Sequence, residues 1–318
     1  MEVIRGMATV NLISLSIVTP CFNEELTVKE CYLRTKDVMT SKLPGVVYEH
    51  IFIDNSSTDQ TIRILHEIKK SDSTVKLYVN SRNIGPFRNI YRGIKKSKGR
   101  AIIPMLPADL QDPPEVIPEF YNLWAAGNLV VFGERKNRQE SIWLRALRAI
   151  YYRTIRLLAS YEIPLNVGEF MIIDRKIANA ILETQDEYPY VRGLVAQSFP
   201  NAMKISYTWH KRKLGKSKSK PFDLIDQGIN GFISTSRIPA RIALFAGFAF
   251  SILGIVLGAW TFFVSLFEDV GTAQGVPTLI VGLFTFGGLQ LFFLGLIGEY
   301  VLSLHSQIKR SPPVFDID

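Results

Sequence analysis

Apolar and polar positions along the first hundred residues follow two periods in turn. Apolar-rich stretches at 12–18, 46–53, 75–79 and 101–106 read as strands, the first of them buried. Between them, 26–40, 59–70 and 84–96 space their apolar side chains three and four apart, which predicts helices. Strands and helices alternating at this interval predict a mainly parallel α/β sheet with helices on its faces. Functional loops then belong at the carboxyl ends of the strands.

The pattern changes at 141–160, where Ile142, Trp143, Leu144, Leu147, Ile150, Ile155 and Leu158 mix with Arg145, Arg148, Arg153 and Arg156. An ordinary amphipathic helix on the sheet would look like this, but four arginines without an acid favour a helix lying in a membrane interface. Further on, 242–267 and 276–297 are runs of 26 and 22 residues without a charge. Each exceeds the roughly 20 residues that cross a bilayer core. Their connector lacks Lys and Arg, whereas Arg237, Arg241, Lys309 and Arg310 lie on the outer flanks. The positive-inside rule then puts both ends of the chain in the cytoplasm. The expected organisation is a cytoplasmic domain over 1–220 and a juxtamembrane linker over 221–240. Two transmembrane helices within 241–305 and a cytoplasmic tail over 306–318 complete it. The opening residues lack an apolar h-region, so no cleaved leader is expected.

Composition narrows the class. With 318 residues, 47% of them hydrophobic, and two cysteines, the chain is neither a disordered tail nor a disulfide scaffold. Cys21 and Cys31 form no C-x-x-C and have no His cluster beside them; free thiols suit a reducing compartment. The net charge of +8 is uneven: residues 1–239 hold 34 cations and 24 acids, residues 240–318 three and five. A basic body on an apolar tail points to an anionic partner at a membrane surface rather than to nucleic acid. The run K-R-K-L-G-K-S-K-S-K at 211–220, with six cations, stands shortly before the first apolar span. A solvated loop is the bland account of it; contact with phosphate or lipid headgroups is the sharper one.

Three strand-end loops carry the chemistry: T-P-C-F-N-E-E at 19–25, I-D-N-S-S-T-D-Q-T at 53–61 and L-P-A-D-L-Q-D-P-P-E at 106–115. Asp54 ends an apolar strand and so belongs at the crevice. Asp109 and Asp112 flank Gln111, a set of oxygen ligands suited to Mg2+ or Mn2+ beside a diphosphate. Singly these are a helix cap and a turn. In order on one sheet, they describe a site.

P-C-F-N-E-E, I-D-N-S-S-T-D, A-D-L-Q-D-P-P-E and R-K-L-G-K-S-K together resemble family 2 glycosyltransferases of GT-A fold. With two C-terminal spans, the chain is similar to the polyprenyl-phosphate glycosyltransferases within that family, over about residues 12–305. The resemblance implies a GT-A, Rossmann-like sheet with flanking helices, an interfacial amphipathic helix and a two-helix transmembrane hairpin. It assigns Pro20, Phe22, Glu24 and Asp54 to the nucleotide, and Asp109 and Gln111 to a divalent metal, Mg2+ or Mn2+, and the diphosphate. Arg135 and Arg192 match basic positions near a donor or acceptor phosphate, and Arg212 and Ser217 match a loop closing over both. Asp109, Glu169, Arg135 and Arg212 become the expected catalytic set, with Glu169 orienting the acceptor or assisting as base. Three positions depart from the family pattern. Pro107 replaces an Asp two residues before Asp109, Asn55 replaces an acid after Asp54, and Glu169 stands where Asp is commoner.

The implied reaction is a single inverting transfer of a hexose, glucose from UDP-glucose by preference, onto undecaprenyl phosphate. GDP-mannose and UDP-aminoarabinose type donors stay open, as does a non-catalytic membrane scaffold whose site has decayed at Pro107. The implied partners are a nucleotide sugar, a polyprenyl phosphate, the lipid bilayer and further copies of the chain, a tetramer by family. The implied location is the bacterial cytoplasmic membrane. A processive polysaccharide synthase is disfavoured by the lack of Q-x-x-R-W, a P-loop ATPase by His210 where glycine is needed, and a Rossmann oxidoreductase by the lack of G-x-G-x-x-G.

Overall fold

The computed structural model describes residues 12–136, 166–186, 189–210, 212, 245–250 and 276–309, together with several residues between 252 and 263 and residues 312 and 314–317. It divides into two compact units. The expected interfacial helix at 141–160, most of the basic run at 211–220 and the linker at 221–240 lie outside the described residues.

The first unit is built on a seven-stranded sheet. Its elements run β1 (Leu15–Cys21), α1 (Val28–Lys42), β2 (Tyr48–Asp54), α2 (Thr61–Ser71), β3 (Val75–Val79), α3 (Pro86–Lys96) and β4 (Ala101–Ile103), in the alternation expected from the pattern. A single 3-10 turn (Pro114–Val116) leads into α4 (Ile117–Ala125), followed by β5 (Val130–Lys136), β6 (Val167–Asp174), α5 (Arg175–Glu183), α6 (Val191–Ser198) and β7 (Met203–Thr208). The strand order is β3-β2-β1-β4-β6-β5-β7. All pairings are parallel except those of β6, which runs against both β4 and β5. Because β6 is reversed, its first residues share an edge with the last residues of its neighbours.

Both faces of the sheet are covered, which is why β4 reads as an unbroken apolar run and why β1 buries even Ser16 and Thr19. On one face Leu15, Ile17 and Ile103 pack with Met39 of α1 and Phe120 of α4. On the other, Val18, Ile53 and Ile102 pack with Ile90 and Ile94 of α3 and with Ile177 and Ile181 of α5. Local chemistry sets the helix starts. Gly85, at φ +83°, turns the chain into α3, and Pro86 takes the first helical position, where a missing N–H costs nothing. Asp174 caps α5 by accepting the Lys176 N–H at 2.9 Å.

Polar residues inside this sheet are partnered. His50 of β2 is buried, stacks on Phe52 at 4.1 Å and shares a 2.8 Å hydrogen bond between Nε2 and Thr19 Oγ1. Burial pulls its pKa from 6.5 down to about 3, so the folded protein holds it neutral. The unfolded chain takes up a proton near pH 6.5 and the folded one does not, so stability falls as pH drops through this window. The slope is up to about 1.4 kcal/mol per pH unit. We expect His50→Gln to flatten the loss of unfolding free energy between pH 7 and 5, read by urea titration at each pH. An unchanged slope would assign the loss to other groups.

The second unit contains α7 (Val276–Lys309), a single helix of 34 residues, and a shorter apolar helix, Phe245–Gly254. Among the described residues α7 is the one helix long and apolar enough to cross a membrane, over Thr285–Leu302. The helix runs twelve residues past the apolar stretch that ends at 297. Residues 312 and 314–317 belong to the first unit.

Candidate active site

The first two loops at the carboxyl edge are laced together by side chains. Asn23, at φ 54°, donates its backbone N–H to Ser57 Oγ at 2.8 Å and accepts the Thr58 N–H at 2.7 Å. The Glu24 N–H goes to Thr61 Oγ1 at 2.8 Å, and the Gln60 N–H to Glu25 at 2.9 Å. Asp54, wholly buried at the end of β2, accepts the Ser57 N–H at 2.7 Å and its hydroxyl at 2.5 Å. Burial raises the Asp54 pKa, and the two Ser57 bonds oppose that rise. Loop one is therefore shaped by loop two, and both present Pro20, Phe22, Glu24 and Asp54 along the ends of adjacent strands.

The third loop follows β4. Leu110, at φ 58°, sits in the left-handed region, a costly position for a bulky side chain and a sign of a turn held by its surroundings. The turn lets the Asp109 carboxylate accept the Gln111 N–H at 3.1 Å. Gln111 in turn donates from Nε2 to the His210 carbonyl at 3.4 Å, which leaves Oε1 as the ligand end of its amide. Arg212 reaches this loop from beyond β7. Its Nη2 lies 2.5 Å from Glu24 Oε2 and its Nη1 3.6 Å from Asp109 Oδ2. One guanidinium therefore stands between loops one and three. The Asp109 pKa is raised, chiefly by burial and further by the negative charge of Glu24 and Asp112, while the Gln111 N–H and Arg212 work against the rise.

A second cluster lies just behind. Arg135, at the end of β5, forks onto the buried Asp112, with Nε at 3.0 Å from Oδ1 and Nη2 at 2.7 Å from Oδ2. Tyr207, opposite it on β7, donates its hydroxyl to the same Asp112 oxygen at 2.5 Å. The guanidinium also lies over the Trp209 ring, 5.5 Å from its centroid. Gly168 leaves room for this: a Cβ there would come within 2.8 Å of Arg135 Nη2. Arg192, on α6, donates Nε to the Tyr190 hydroxyl at 2.9 Å and Nη1 to the Val167 carbonyl. Glu169 is the third residue of β6, on the reversed strand that begins at this edge.

Of the expected site residues, Glu24, Asp109 and Arg212 converge on one another. Pro20, Phe22 and Asp54 line the same loops, and Gln111 is one turn from Asp109. Arg135 is engaged by Asp112, and Arg192 by Tyr190 and Val167. Ser217 lies outside the described residues. Pattern reading missed Tyr207 and Gly168 as parts of the site. It counted Asp112 among the oxygen ligands suited to a divalent ion, whereas the side chain is the buried counter-ion of Arg135.

A mostly parallel sheet in this strand order, with acidic and amide loops gathered at its carboxyl edge, defines a glycosyltransferase of GT-A type. The chain belongs to glycosyl transferase family 2, whose family model it matches over residues 16–182. It is 33% identical to YkcC of Bacillus subtilis, described as an uncharacterised glycosyltransferase, over 94% of this chain and 92% of that protein. The prophage-derived bactoprenol glucosyl transferase of Shigella flexneri is 28% identical over 94% of this chain and 96% of its own length. A mannosyltransferase of Pyrobaculum calidifontis shares 14% identity at a TM-score of 0.48, covering 90% of this chain and 86% of that one, too distant to carry more than the likeness.

Proposed function

We propose that the protein transfers glucose from UDP-glucose onto a polyprenyl phosphate at the cytoplasmic face of the membrane, with inversion, to give a β-linked sugar phosphate. The observation that carries this reading is Arg212. A cation between the nucleotide loop and the Asp109 loop, eight residues before the basic run ends and thirty before residue 242, supports contact with a phosphate at a bilayer surface. The near full-length likeness to bactoprenol glucosyl transferases supports the same acceptor and sugar.

The chemistry suits this edge. A phosphate monoester has its second pKa near 6, so a polyprenyl phosphate is already anionic and needs no strong base. What the protein must supply is positive charge enough to bring donor diphosphate and lipid phosphate together. Arg212 is held by carboxylates that a phosphate can replace, since the guanidinium fork pairs with either. Arg135, kept rigid by Asp112 and Tyr207, contributes a fixed cation behind it, and Glu169 orients the acceptor. Among the described residues no three His, Cys, Asp or Glu side chains gather as a metal cage. Asp109 and Gln111 nevertheless fit Mg2+ or Mn2+, because these ions are held by one or two carboxylates together with substrate phosphates. Such an ion would neutralise the departing diphosphate. Residues 242–267 and 276–297 would form the membrane hairpin that keeps the domain at the surface.

The test uses full-length protein in liposomes containing undecaprenyl phosphate, with UDP-glucose, UDP-aminoarabinose and GDP-mannose offered separately. A glucosyl-phosphate lipid of β configuration, formed from UDP-glucose alone, is expected. An α product overturns inversion, and turnover with another donor overturns the sugar. Arg212→Ala should lower kcat by roughly 10²–10³-fold, the loss typical of one preorganised charge contact. Nucleotide affinity should change far less, since both anions complete the contact only together. Unchanged kcat at saturating substrates would return Arg212 to a structural ion pair.

A further inference from the structure

Residues 315–317 lie along the outer edge of β3. Asp316 pairs antiparallel with Asn80, the Ser81 N–H donates to the Phe315 carbonyl at 3.0 Å, and the Ile317 N–H donates to the Val79 carbonyl at 2.9 Å. Arg82 Nη2 adds a bond to the Pro312 carbonyl at 3.1 Å. The segment covers the one edge of the sheet that β3 would otherwise leave open, as an added strand does.

One side chain ties this strap to the rest of the domain. Asp316 accepts from Arg92 Nη2 through Oδ1 and from Lys96 Nζ through Oδ2, both at 2.6 Å. Both cations are on α3. Arg92 is the more enclosed, and its other nitrogen, Nη1, donates to Asn80 Oδ1 at 2.6 Å. Asn80 is wholly buried and works in two directions. Its backbone N–H holds the Asp54 carbonyl at 2.9 Å, and its Nδ2 holds Asn55 Oδ1 at 3.1 Å and Asn89 Oδ1 at 2.8 Å. Asn55 Oδ1 also accepts the Ile84 N–H at 2.9 Å, while its Nδ2 donates to Asn83 at 2.8 Å. The chain of contacts therefore runs from Asp316 through Arg92 and Asn80 to the backbone that presents Asp54. It also explains Asn55: an acid there could accept from Asn80 and Ile84 but would have no donor for Asn83.

We infer that Asp316 is a positioning residue for the nucleotide site, acting through Arg92 and Asn80 on the loop that begins at Asp54. The C-terminal segment, which follows the apolar helix α7, is the strap that carries it. The inference rests on the assignment of Asp54 to the nucleotide. Arg92 is the element that both ends bias. With Asp316 present the guanidinium has a carboxylate on one side and Asn80 on the other. Without it, an enclosed cation keeps only an amide oxygen and Lys96 loses its counter-charge, so Asn80 and the Asp54 loop are no longer held to one arrangement.

Full-length protein is used, with three variants: Asp316→Ala, Asp316→Glu and the charge exchange Arg92→Asp with Asp316→Arg. UDP and GDP binding is measured by calorimetry, and KM for UDP-glucose and kcat are measured in liposomes. Asp316→Ala should raise Kd for the nucleotide and KM for the donor together, by roughly three- to thirtyfold. Asp316→Glu should recover most of the loss. Values of kcat at saturating donor should stay within about twofold, because no group that meets the reacting phosphates has changed. A merely structural strap would lower the melting temperature and leave Kd where it was, and that result overturns the inference. Restored affinity in the charge exchange supports the Arg92 contact as the path, and affinity no better than in Asp316→Ala counts against it. If wild-type protein binds neither UDP nor GDP, the failure lies with the assignment of the site itself.

Discussion

Asp109→Asn should reduce sugar transfer by about 10²–10³-fold while leaving the domain as stable as before, or slightly more so. The loss is the order expected when one preorganised electrostatic group is removed from a site where charge develops. The stability follows from the raised pKa of Asp109. Burial and the neighbouring Glu24 and Asp112 make its ionised form unfavourable in the folded state, so the native fold carries a charge it would more readily hold neutral. An amide of the same shape removes that cost and can still accept the Gln111 N–H, now 3.1 Å away. Urea unfolding and product formation with Mg2+ or Mn2+ present, measured on the same preparation, separate the two effects. Near-normal turnover would remove Asp109 from the metal and diphosphate position. A large fall in stability would mean that its carboxylate is needed for packing rather than chemistry.

Asp112→Ala should be the most damaging single change to the fold. The carboxylate is fully buried and receives three bonds, two from Arg135 and one from Tyr207. Its negative charge pushes the Arg135 pKa further up, so the guanidinium cannot escape by losing a proton. Removing one partner of such a pair leaves an uncompensated charge in the interior, at a cost of roughly 3–5 kcal/mol. Replacing both members by apolar residues, Asp112→Leu with Arg135→Met, should restore much of that stability without restoring transfer. Denaturation of the single and double variants gives the comparison. If the double variant is no more stable than Asp112→Ala, the cost comes from lost packing and not from the stranded cation.

The elements legible in the sequence were those whose signal is local. The run 75–79 is β3 as observed, and the helices expected over 26–40, 59–70 and 84–96 appear as α1, α2 and α3, each beginning two residues later than the apolar spacing suggests. That offset has a physical cause. Thr27, Gln60 and Gly85 sit outside helical geometry while the chain turns out of the site loops, so apolar spacing begins before helical hydrogen bonding does. Asp54 was legible because it ends an apolar strand, and Asp109 because it clusters with Gln111 and Asp112 in the loop after another. Tyr207 was not, because its partner Asp112 is 95 residues away and nothing between them signals the contact. Gly168 was hidden for a related reason: its meaning depends on an arginine arriving from another strand. The direction of β6 could not be read either, since an apolar run specifies burial and is silent on polarity. The extra turns of α7 show the same limit. Loss of apolarity at 297 marks where a bilayer core would end, whereas the helix itself continues to Lys309, near Pro312 and Pro313.

The reversal of β6 divides the edge into two kinds of construction. Phe22, Glu24, Asp109 and Gln111 come from loops that follow strands, where insertion and substitution are tolerated because no ladder passes through them, while Pro20 and Asp54 are closing residues of β1 and β2. Glu169 and Gly168 instead belong to the opening residues of a paired strand, opposite the end of β5, where the register shifts between Phe132 and Glu134. A one-residue slip in the regular ladder beyond that shift would turn its apolar set to the wrong face, so length changes here are confined to such irregularities while side chains can vary. Divergence among such proteins can therefore proceed at two speeds. Recognition written in the loops can be revised by small steps, whereas whatever is recognised beside β6 is inherited with the sheet.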